Sequence, residues 1–174
     1  GTALELGAWP TRTGLGVSLL QRNRVVDHAS DDMAITIQAG ATLAELDAVL
    51  RPRGQRLPID VRQPQRTTVG GLIASNAAGP RRLGFGTMRD YVLGLAAVDG
   101  AGRAFHAGGK VVKNAAGINL CRLLTGSLGT MAVIAEATLM VRPIAERFAL
   151  VIVETADWSQ AEAMLAAVAC SPLT

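Results

Sequence analysis

Two adjacent glycines, Gly70 and Gly71, lie in the stretch TTVGGLIASNAAGPRR, residues 67–82, between threonines and a run of small residues. Glycine lets the backbone approach a ligand closely and reaches backbone angles that are closed to other residues. The residues that follow, from Leu72, predict a short helix whose positive end faces an anion. The stretch therefore predicts a pyrophosphate site made of main-chain N–H groups, although such a glycine pair is also typical of close packing alone.

A second glycine-rich turn, at residues 126–129, lies in the stretch KVVKNAAGINLCRLLTGSLGTMAVIAEATLMVRP, residues 110–143. Four ordered segments, TVGGLIASNAAGPRR, GTMRDYVLGL, GGKVVKNAAG and GSLGTMAVIAEATL, resemble the flavin-binding domain shared by vanillyl-alcohol oxidase and p-cresol methylhydroxylase (PCMH). The resemblance is greatest to the FAD-binding subunits of bacterial glycolate oxidases. One departure is Ile118 with Asn119, where relatives commonly carry an aromatic residue and an acid.

The resemblance implies an α+β fold, the second half of a PCMH-type FAD-binding domain with a mixed or antiparallel sheet flanked by helices. Residues 1–143 are assigned to this domain, whose N-terminal part is expected to be missing. Residues 144–174 are assigned to the incomplete beginning of a substrate or cap domain. FAD is the implied cofactor, and the residues expected to bind it are Gly1, Thr2, Pro64, Thr67, Thr68, Val69, Gly70, Gly71, Ala74, Ser75, Asn76, Gly79, Gly129 and Ile134.

By the same resemblance, the chain is the FAD-binding subunit of an oxidoreductase that oxidises a 2-hydroxy acid, of the glycolate or D-lactate class, by hydride transfer to flavin N5. The implied partners are a second flavin subunit and an iron–sulfur subunit. The implied location is the cytoplasm, with peripheral membrane association through those subunits. Two alternatives stay open: a non-catalytic scaffold or regulatory subunit with the same fold, and a reductase of cell-wall precursor synthesis that uses a nicotinamide donor.

The sequence assigns no catalytic residue. His28 and His106 are candidates for a general base by residue type, but neither has an identifiable partner. Arg89 and Asp90 are expected to pair or cap locally, which is a structural role. Four cations near the motifs are candidates to stabilise a reduced flavin anion: Arg81, Arg82, Lys110 and Lys113.

Composition argues against several other classes. The 174 residues are 49% hydrophobic and 18% charged, which suits a compact core, and no apolar run approaches the roughly 20 residues that span a bilayer. The net charge is +3, but aromatic residues make up only 3%, too few for the stacking surfaces that bind nucleic acid. Rossmann, Walker and serine-hydrolase motifs are absent.

The two cysteines, Cys121 and Cys170, lie among apolar residues and are both expected in the core of a protein from a reducing compartment. Neither they nor the two histidines have metal-ligand spacing, so no metal site is expected.

Hydrophobic alternation predicts strands at residues 16–20, 24–28, 34–37 and 130–141, the last with a possible break, and a hairpin of 92–98 with 103–107. Thr42 and Glu45 have the spacing of a capping box, which predicts a helix that ends at Gly54.

The pattern changes after Pro143. A strand is predicted at residues 148–154, followed by a helix that Asp157 caps. This helix is expected to bury one face, formed by Ala161, Met164, Leu165 and Val168.

Overall fold

The computed structural model describes residues 2–3, 11, 14–109, 119–148, 150 and 152–171. The chain divides into two compact units, Gly1–Ile144 and Ala145–Thr174. The division falls next to the boundary expected after Pro143, whereas the identity of each unit as a flavin domain or a cap domain stays a prediction.

The described part of the first unit is built from short strands and helices. Its strands are β1 Val25–Ala29, β2 Ala34–Gln38, β3 Gln55–Arg56, β4 Val92–Asp99, β5 Ala104–Gly108, β6 Ala132–Met140 and β7 Arg142–Pro143. Its helices are α1 Leu43–Leu50, α2 Val69–Ser75, α3 Arg82–Phe85 and α4 Leu120–Leu124, with 3₁₀ turns at Arg51–Arg53 and Met88–Asp90.

Five of these strands form one sheet in the order β1-β2-β6-β4-β5, in which every neighbouring pair is antiparallel. Strands β3 and β7 form a separate antiparallel ribbon. This arrangement confirms the predicted α+β fold with an antiparallel sheet. It also confirms the hairpin of β4 with β5 and the last predicted strand, which forms as β6 and runs from Ala132 to Met140 without the break that was considered within it.

The period-two alternation of the strands separates a buried face of the sheet from a more polar one. Ile35 lies opposite Leu139 and Ile37 opposite Ala137 across the pairing of β2 with β6, and all four are buried. Between these pairs, the hydroxyl oxygens of Thr36 and Thr138 are 2.9 Å apart. The apolar face carries the core against which the helices pack.

Helix α1 begins at the predicted capping box. The amide of Glu45 donates to Thr42 Oγ1 at 3.2 Å, and the amide of Thr42 donates to Glu45 Oε2 at 2.7 Å. The Thr42 hydroxyl also donates to Glu45 Oε2, at 3.0 Å, and the two hydrogen bonds that the carboxylate accepts from the Thr42 amide and hydroxyl lower the pKa of Glu45. The helix buries Leu43, Leu46 and Leu50, and the chain then turns at Gly54, whose φ is +64°.

The strand predicted at residues 16–20 is not formed. This segment packs as a loop against Gly40, whose amide donates to the Arg22 carbonyl at 2.8 Å. A Cβ on Gly40 would lie only 1.8 Å from the Leu19 carbonyl oxygen. The Leu19 carbonyl accepts the Arg22 amide at 2.8 Å, so the end of this segment forms a local turn against Gly40 and not a strand of the sheet.

The second unit contains helix α5, Trp158–Ala169, which Asp157 caps as predicted by accepting the Gln160 amide at 2.9 Å. The predicted buried face is wrong, because Leu165 is 71% exposed and Val168 58% exposed. The described residues of 148–154 form no strand, since none of them has a paired strand in the described chain. Cys170 is exposed, against expectation, whereas Cys121 is buried as expected.

No helix among the described residues is both long enough and apolar enough to cross a membrane.

Candidate functional site

The first glycine-rich stretch forms helix α2, which confirms the predicted short helix. Thr68 is its N-cap, with Oγ1 accepting the Gly71 amide at 3.2 Å, and Asn76 ends it in the left-handed region at φ +47°. The helix already begins at Val69, so Gly70 and Gly71 lie inside its first turn. Neither glycine has a positive φ. The special backbone angles expected at this pair are therefore not used.

The first amides of α2 all have acceptors within the protein. The amide of Val69 donates to Ala41 O and that of Gly70 to Ala39 O, both at 2.8 Å. Those of Gly71 and Leu72 turn back to Thr68, whose side chain and carbonyl accept them. The expected geometry, in which these N–H groups point outward together at a phosphate, is wrong for this conformation, because the groups tie the helix to the end of β2.

Gly70 is a glycine because of this junction. A Cβ there would lie 2.9 Å from the Ala39 Cβ, a distance that real side chains do not reach. Ala39 in turn donates its own amide to Ala135 O at 2.9 Å. The packing alternative left open for the glycine pair therefore applies to Gly70. Gly71 differs, since it is exposed and a Cβ there would approach only Thr68 Oγ1, at 3.1 Å.

The approach to α2 runs alongside the start of α1. The carbonyls of Pro64 and Thr67 accept the amides of Ala44 and Leu43, at 3.1 and 2.9 Å. Thr67 is buried, and its Oγ1 lies 3.2 Å from the Oγ1 of Thr2. The structure thus brings the predicted site residue Thr2 against the predicted segment 64–68. Gly1 lies outside the described residues.

The second glycine-rich turn docks on the C-terminal end of α2. The amide of Gly126 donates to Ile73 O at 3.0 Å, and that of Leu128 donates to Ala74 O at 2.8 Å. The last carbonyls of a helix lack the usual amide donor four residues on, and the turn donates to two of them. Ile73 O also accepts the amide of the helix-ending residue Asn76, at 3.1 Å. The two glycine-rich stretches, far apart in sequence, therefore pack directly against each other.

A separate contact joins these stretches through the 3₁₀ turn at Met88–Asp90. The amide of Arg89 donates to Asn76 Oδ1 at 3.1 Å, and Nη2 of Arg89 donates to the Thr125 carbonyl at 3.0 Å. Asp90 caps the same turn by accepting the Thr87 amide at 2.8 Å. These contacts confirm a structural role for Arg89 and Asp90. They also show a contact between Arg89 and Thr125 that the sequence did not predict.

Gly79 has a packing reason of its own. A Cβ there would lie 2.3 Å from the Asp60 Cβ, so the segment after α2 can lie against Asp60 only with glycine at this position. Arg81, two residues on, donates its Nε to both Asp60 carboxylate oxygens, at 2.8 and 2.9 Å. These side-chain hydrogen bonds lower the pKa of the Asp60 carboxyl. Arg81 is therefore paired within the protein.

The turn at residues 126–129 contains a group that sequence reasoning missed. Ser127 Oγ is buried and has no hydrogen-bond partner among the described residues. Because buried polar atoms are nearly always hydrogen-bonded, such an atom calls for a ligand or a water. Its signal in the sequence is its place inside the glycine-rich segment GSLG, residues 126–129.

The last two predicted site residues differ in accessibility. Gly129 is exposed, with φ +75°, at the end of this turn. Ile134 is buried in β6, at 5% exposure, so its side chain belongs to the core and is not presented to a ligand. Any contact of Ile134 with a cofactor would have to use its backbone.

The remaining candidates are scattered. His28 is 2.9 Å from the buried Gln55 through Nε2 and Oε1, which is a structural contact. His106 is exposed on β5, and Arg82 is exposed at the start of α3. Lys110 and Lys113 lie outside the described residues, as does Ile118. The described candidates, His28 on β1, His106 on β5 and Arg82 on α3, lie on different elements and form no catalytic cluster within the described part of the chain.

The antiparallel sheet, the helix tied to its end and the two glycine-rich segments packed together define an α+β domain with a candidate cofactor surface. Residues 1–108 match the family model described as the FAD binding domain. The chain belongs to this FAD binding domain family, and FAD is its cofactor. The described residues fit this cofactor, because the buried hydroxyl of Ser127 has no hydrogen-bond partner among them and lies two residues before the exposed Gly129.

Curated relatives support the same family. The chain is 43% identical over 143 residues to a D-lactate dehydrogenase of Archaeoglobus fulgidus, which covers 82% of this chain and 32% of that protein. It is 36% identical to glycolate oxidase subunit GlcE of Escherichia coli, and the match covers 75% of this chain and 38% of that protein. It is 33% identical to glycolate oxidase subunit GlcD of Bacillus subtilis, and the match covers 90% of this chain and 34% of that protein. The chain thus spans about a third of the length of these relatives.

Among solved structures, the chain is similar to an alkyldihydroxyacetonephosphate synthase. The TM-score is 0.63 at 27% identity, and the match covers 73% of this chain and 22% of that one. The likeness extends the family assignment from sequence to fold.

We predict that Asp60→Asn lowers the stability of the first unit at pH 7 by about 1 kcal/mol, because it removes a half-exposed ion pair with Arg81. The folded pKa of Asp60 is depressed, so its contribution is complete above the unfolded pKa of about 3.9 and is lost as pH falls through the folded value. Urea unfolding at pH 7 and between about pH 4 and 2 measures both effects.

Asp31→Asn, at an exposed carboxylate, is the matched control. It should leave the free energy of unfolding unchanged both at pH 7 and in the acid range. The account of this pair is contradicted if Asp60→Asn and the unsubstituted protein keep the same stability difference throughout the acid range.

Proposed function

We propose that this chain is the FAD-binding part of an oxidoreductase that oxidises a 2-hydroxy acid of the glycolate or D-lactate class. The observation that carries the proposal is the 43% identity with a D-lactate dehydrogenase over 82% of the chain. Two glycolate oxidase subunits support the same substrate class. A D-2-hydroxyglutarate dehydrogenase of Xanthomonas citri, 35% identical over 79% of the chain, extends it to a larger 2-hydroxy acid.

When bound, FAD supplies the hydride acceptor, N5 of its ring system, and the protein supplies binding and orientation. We propose that the cofactor lies along the surface formed by α2 and the turn at residues 126–129. The first amides of α2 are used internally, and so are the Gly126 and Leu128 amides of the turn. The main donors on this surface are therefore proposed to be side-chain hydroxyls. Ser127 Oγ is the donor best suited to this role.

The predicted site residues then fall into two groups. The first group is proposed to contact FAD from accessible positions: Thr2, Thr68, Gly71, Ser75, Asn76 and Gly129. The second group is proposed to shape the site by packing, since these residues are buried or make close backbone contacts: Pro64, Thr67, Val69, Gly70, Ala74, Gly79 and Ile134.

The second unit, Ala145–Thr174, is proposed to begin the substrate-binding cap domain. The names of the two glycolate oxidase relatives indicate an enzyme of several subunits. We accordingly propose a second flavin subunit and an iron–sulfur subunit as partners. In this arrangement the protein is cytoplasmic and reaches the membrane only peripherally, through those partners.

Replacing Ser127 with alanine is expected to weaken FAD binding about tenfold, the value of one hydrogen bond to the ligand. It should leave the free energy of unfolding of the cofactor-free protein unchanged or slightly raised, since it removes an unpaired buried hydroxyl. Fluorescence titration with FAD and urea unfolding measure the two quantities.

Ser75→Ala is the matched comparison, because the Ser75 hydroxyl already donates to Gly71 O at 2.8 Å and is not free to donate to FAD. Its effect on FAD affinity should be smaller. Equal affinities for the Ser127→Ala variant and the unsubstituted protein would exclude Ser127 Oγ as a ligand to the cofactor.

The proposed reaction is tested with purified protein that contains this chain and the rest of its subunit. Glycolate, D-lactate and D-2-hydroxyglutarate are supplied with an artificial electron acceptor, and L-lactate serves as the enantiomeric control. We expect acceptor reduction with at least one D- or achiral substrate. In the absence of acceptor, the same substrate should bleach the visible absorbance of bound flavin.

Flavin that stays bound and oxidised with every 2-hydroxy acid would contradict the proposed reaction. That result would instead favour the non-catalytic subunit that the sequence left open. Loss of the flavin during purification, with no rebinding, would contradict the cofactor assignment itself.

A further inference from the structure

The turn at residues 126–129 has an unfavourable backbone. Gly126, Leu128 and Gly129 all have positive φ, of +88°, +54° and +75°. For glycine this costs little, but a leucine in the left-handed region costs about 1–2 kcal/mol. A turn of this kind persists only where surrounding contacts over-determine it, and such strain is concentrated at ligand-binding sites.

The surrounding contacts come from two directions. From one side, the carbonyls of Ile73 and Ala74 in α2 accept the amides of Gly126 and Leu128. From the other side, the guanidinium of Arg89 donates to the carbonyl of Thr125, the residue that leads into the turn. Thr125 is itself 1% exposed, and its hydroxyl donates to Cys121 O at 2.7 Å. Both the side chain and the carbonyl of this residue are therefore hydrogen-bonded, which fixes the entry to the turn.

Arg89 is itself held in place by helix α2, on which the glycine-rich turn docks. Its amide donates to Oδ1 of Asn76, the left-handed residue that ends α2. The fit is close, because a Cβ on Gly126 would lie 3.3 Å from the Asn76 Cβ and 3.6 Å from Arg89 Nη2. Arg89 therefore bridges the end of α2 and the entry to the turn, at the place where the two glycine-rich stretches meet.

We propose that Arg89 is a positioning residue for the cofactor: with Asn76, it holds the strained turn at residues 126–129 in the conformation that binds FAD. The inference rests on the proposed cofactor surface described above. In this role Arg89 contributes to affinity by reducing the ordering that binding would otherwise require, without itself contacting the ligand. Without this side chain the turn keeps its two hydrogen bonds to α2 but loses the restraint at Thr125, so the strained backbone at Leu128 relaxes more readily.

The chain offers a rescue variant and a matched control. Arg89→Met removes the donor and keeps much of the stem, whereas Arg89→Lys restores one cationic donor to the Thr125 carbonyl. Arg122 is an exposed arginine on α4 whose charge, like that of Arg89, acts on Asp90, but its side chain makes no hydrogen bond within the described residues. Arg122→Met therefore removes a nearby positive charge without removing the bridge.

Two quantities are measured in the full chain of each variant: amide hydrogen exchange at Gly126 and Leu128 without FAD, and the Kd for FAD by fluorescence titration. In Arg89→Met we expect both amides to exchange about tenfold faster and the Kd to rise about tenfold, as for one lost hydrogen bond. Arg89→Lys should recover most of both losses, and Arg122→Met should match the unsubstituted protein. The amide exchange rates of Leu95 and Ala97 in β4 should stay unchanged in all variants. Unchanged rates at these buried positions would show that the core is intact.

Each other outcome overturns the inference. If Arg89→Met exchanges at the unsubstituted rate, Arg89 does not hold the turn. If exchange rises and the Kd does not, Arg89 is structural only and does not position the cofactor site. If the unsubstituted protein binds no FAD, the cofactor surface is wrong and the positioning role falls with it, even where exchange shows that the bridge exists.

Discussion

The hydrogen bond from the Gly70 amide to the Ala39 carbonyl places helix α2 at the end of β2, and the arrangement of the site follows from it. The contact requires a residue without a side chain, because a Cβ on Gly70 would overlap Ala39. Ala39 is itself bonded to Ala135 in β6. The helix is thus joined through two successive hydrogen bonds to the centre of the sheet, and its far end is presented at a defined position.

That far end receives the second glycine-rich turn, and this meeting produces the candidate cofactor surface. The carbonyls at the C-terminus of α2 accept two amides of the turn, while Arg89 joins the two segments from the side. Membership of the FAD binding domain family is the reason why FAD is the cofactor that we propose for this surface. The same geometry changes how the cofactor is expected to be held, since the positive end of α2 is tied to the sheet and not directed at a phosphate.

Local patterns were predictable from the sequence, and contacts between distant segments were not. The capping box of α1 and the β4–β5 hairpin depend on residues a few positions apart, and the structure has both. The role of Gly70 depends on Ala39, and the unpaired state of Ser127 depends on how its turn docks, so neither could be read from a short motif. Helix α5 shows a related limit of sequence-based prediction. Periodicity indicates which face of a helix is apolar, but it does not show whether another part of the protein covers that face, and Leu165 on the predicted buried face is exposed.

The most direct test of the account is amide hydrogen exchange of a protein containing this chain, measured with and without FAD. If the two glycine-rich stretches form one cofactor surface, FAD should slow exchange both in residues 67–79 and in residues 125–130, with the same dependence on FAD concentration. Protection confined to one of these stretches, or found only elsewhere in the chain, would contradict the single surface on which the account depends.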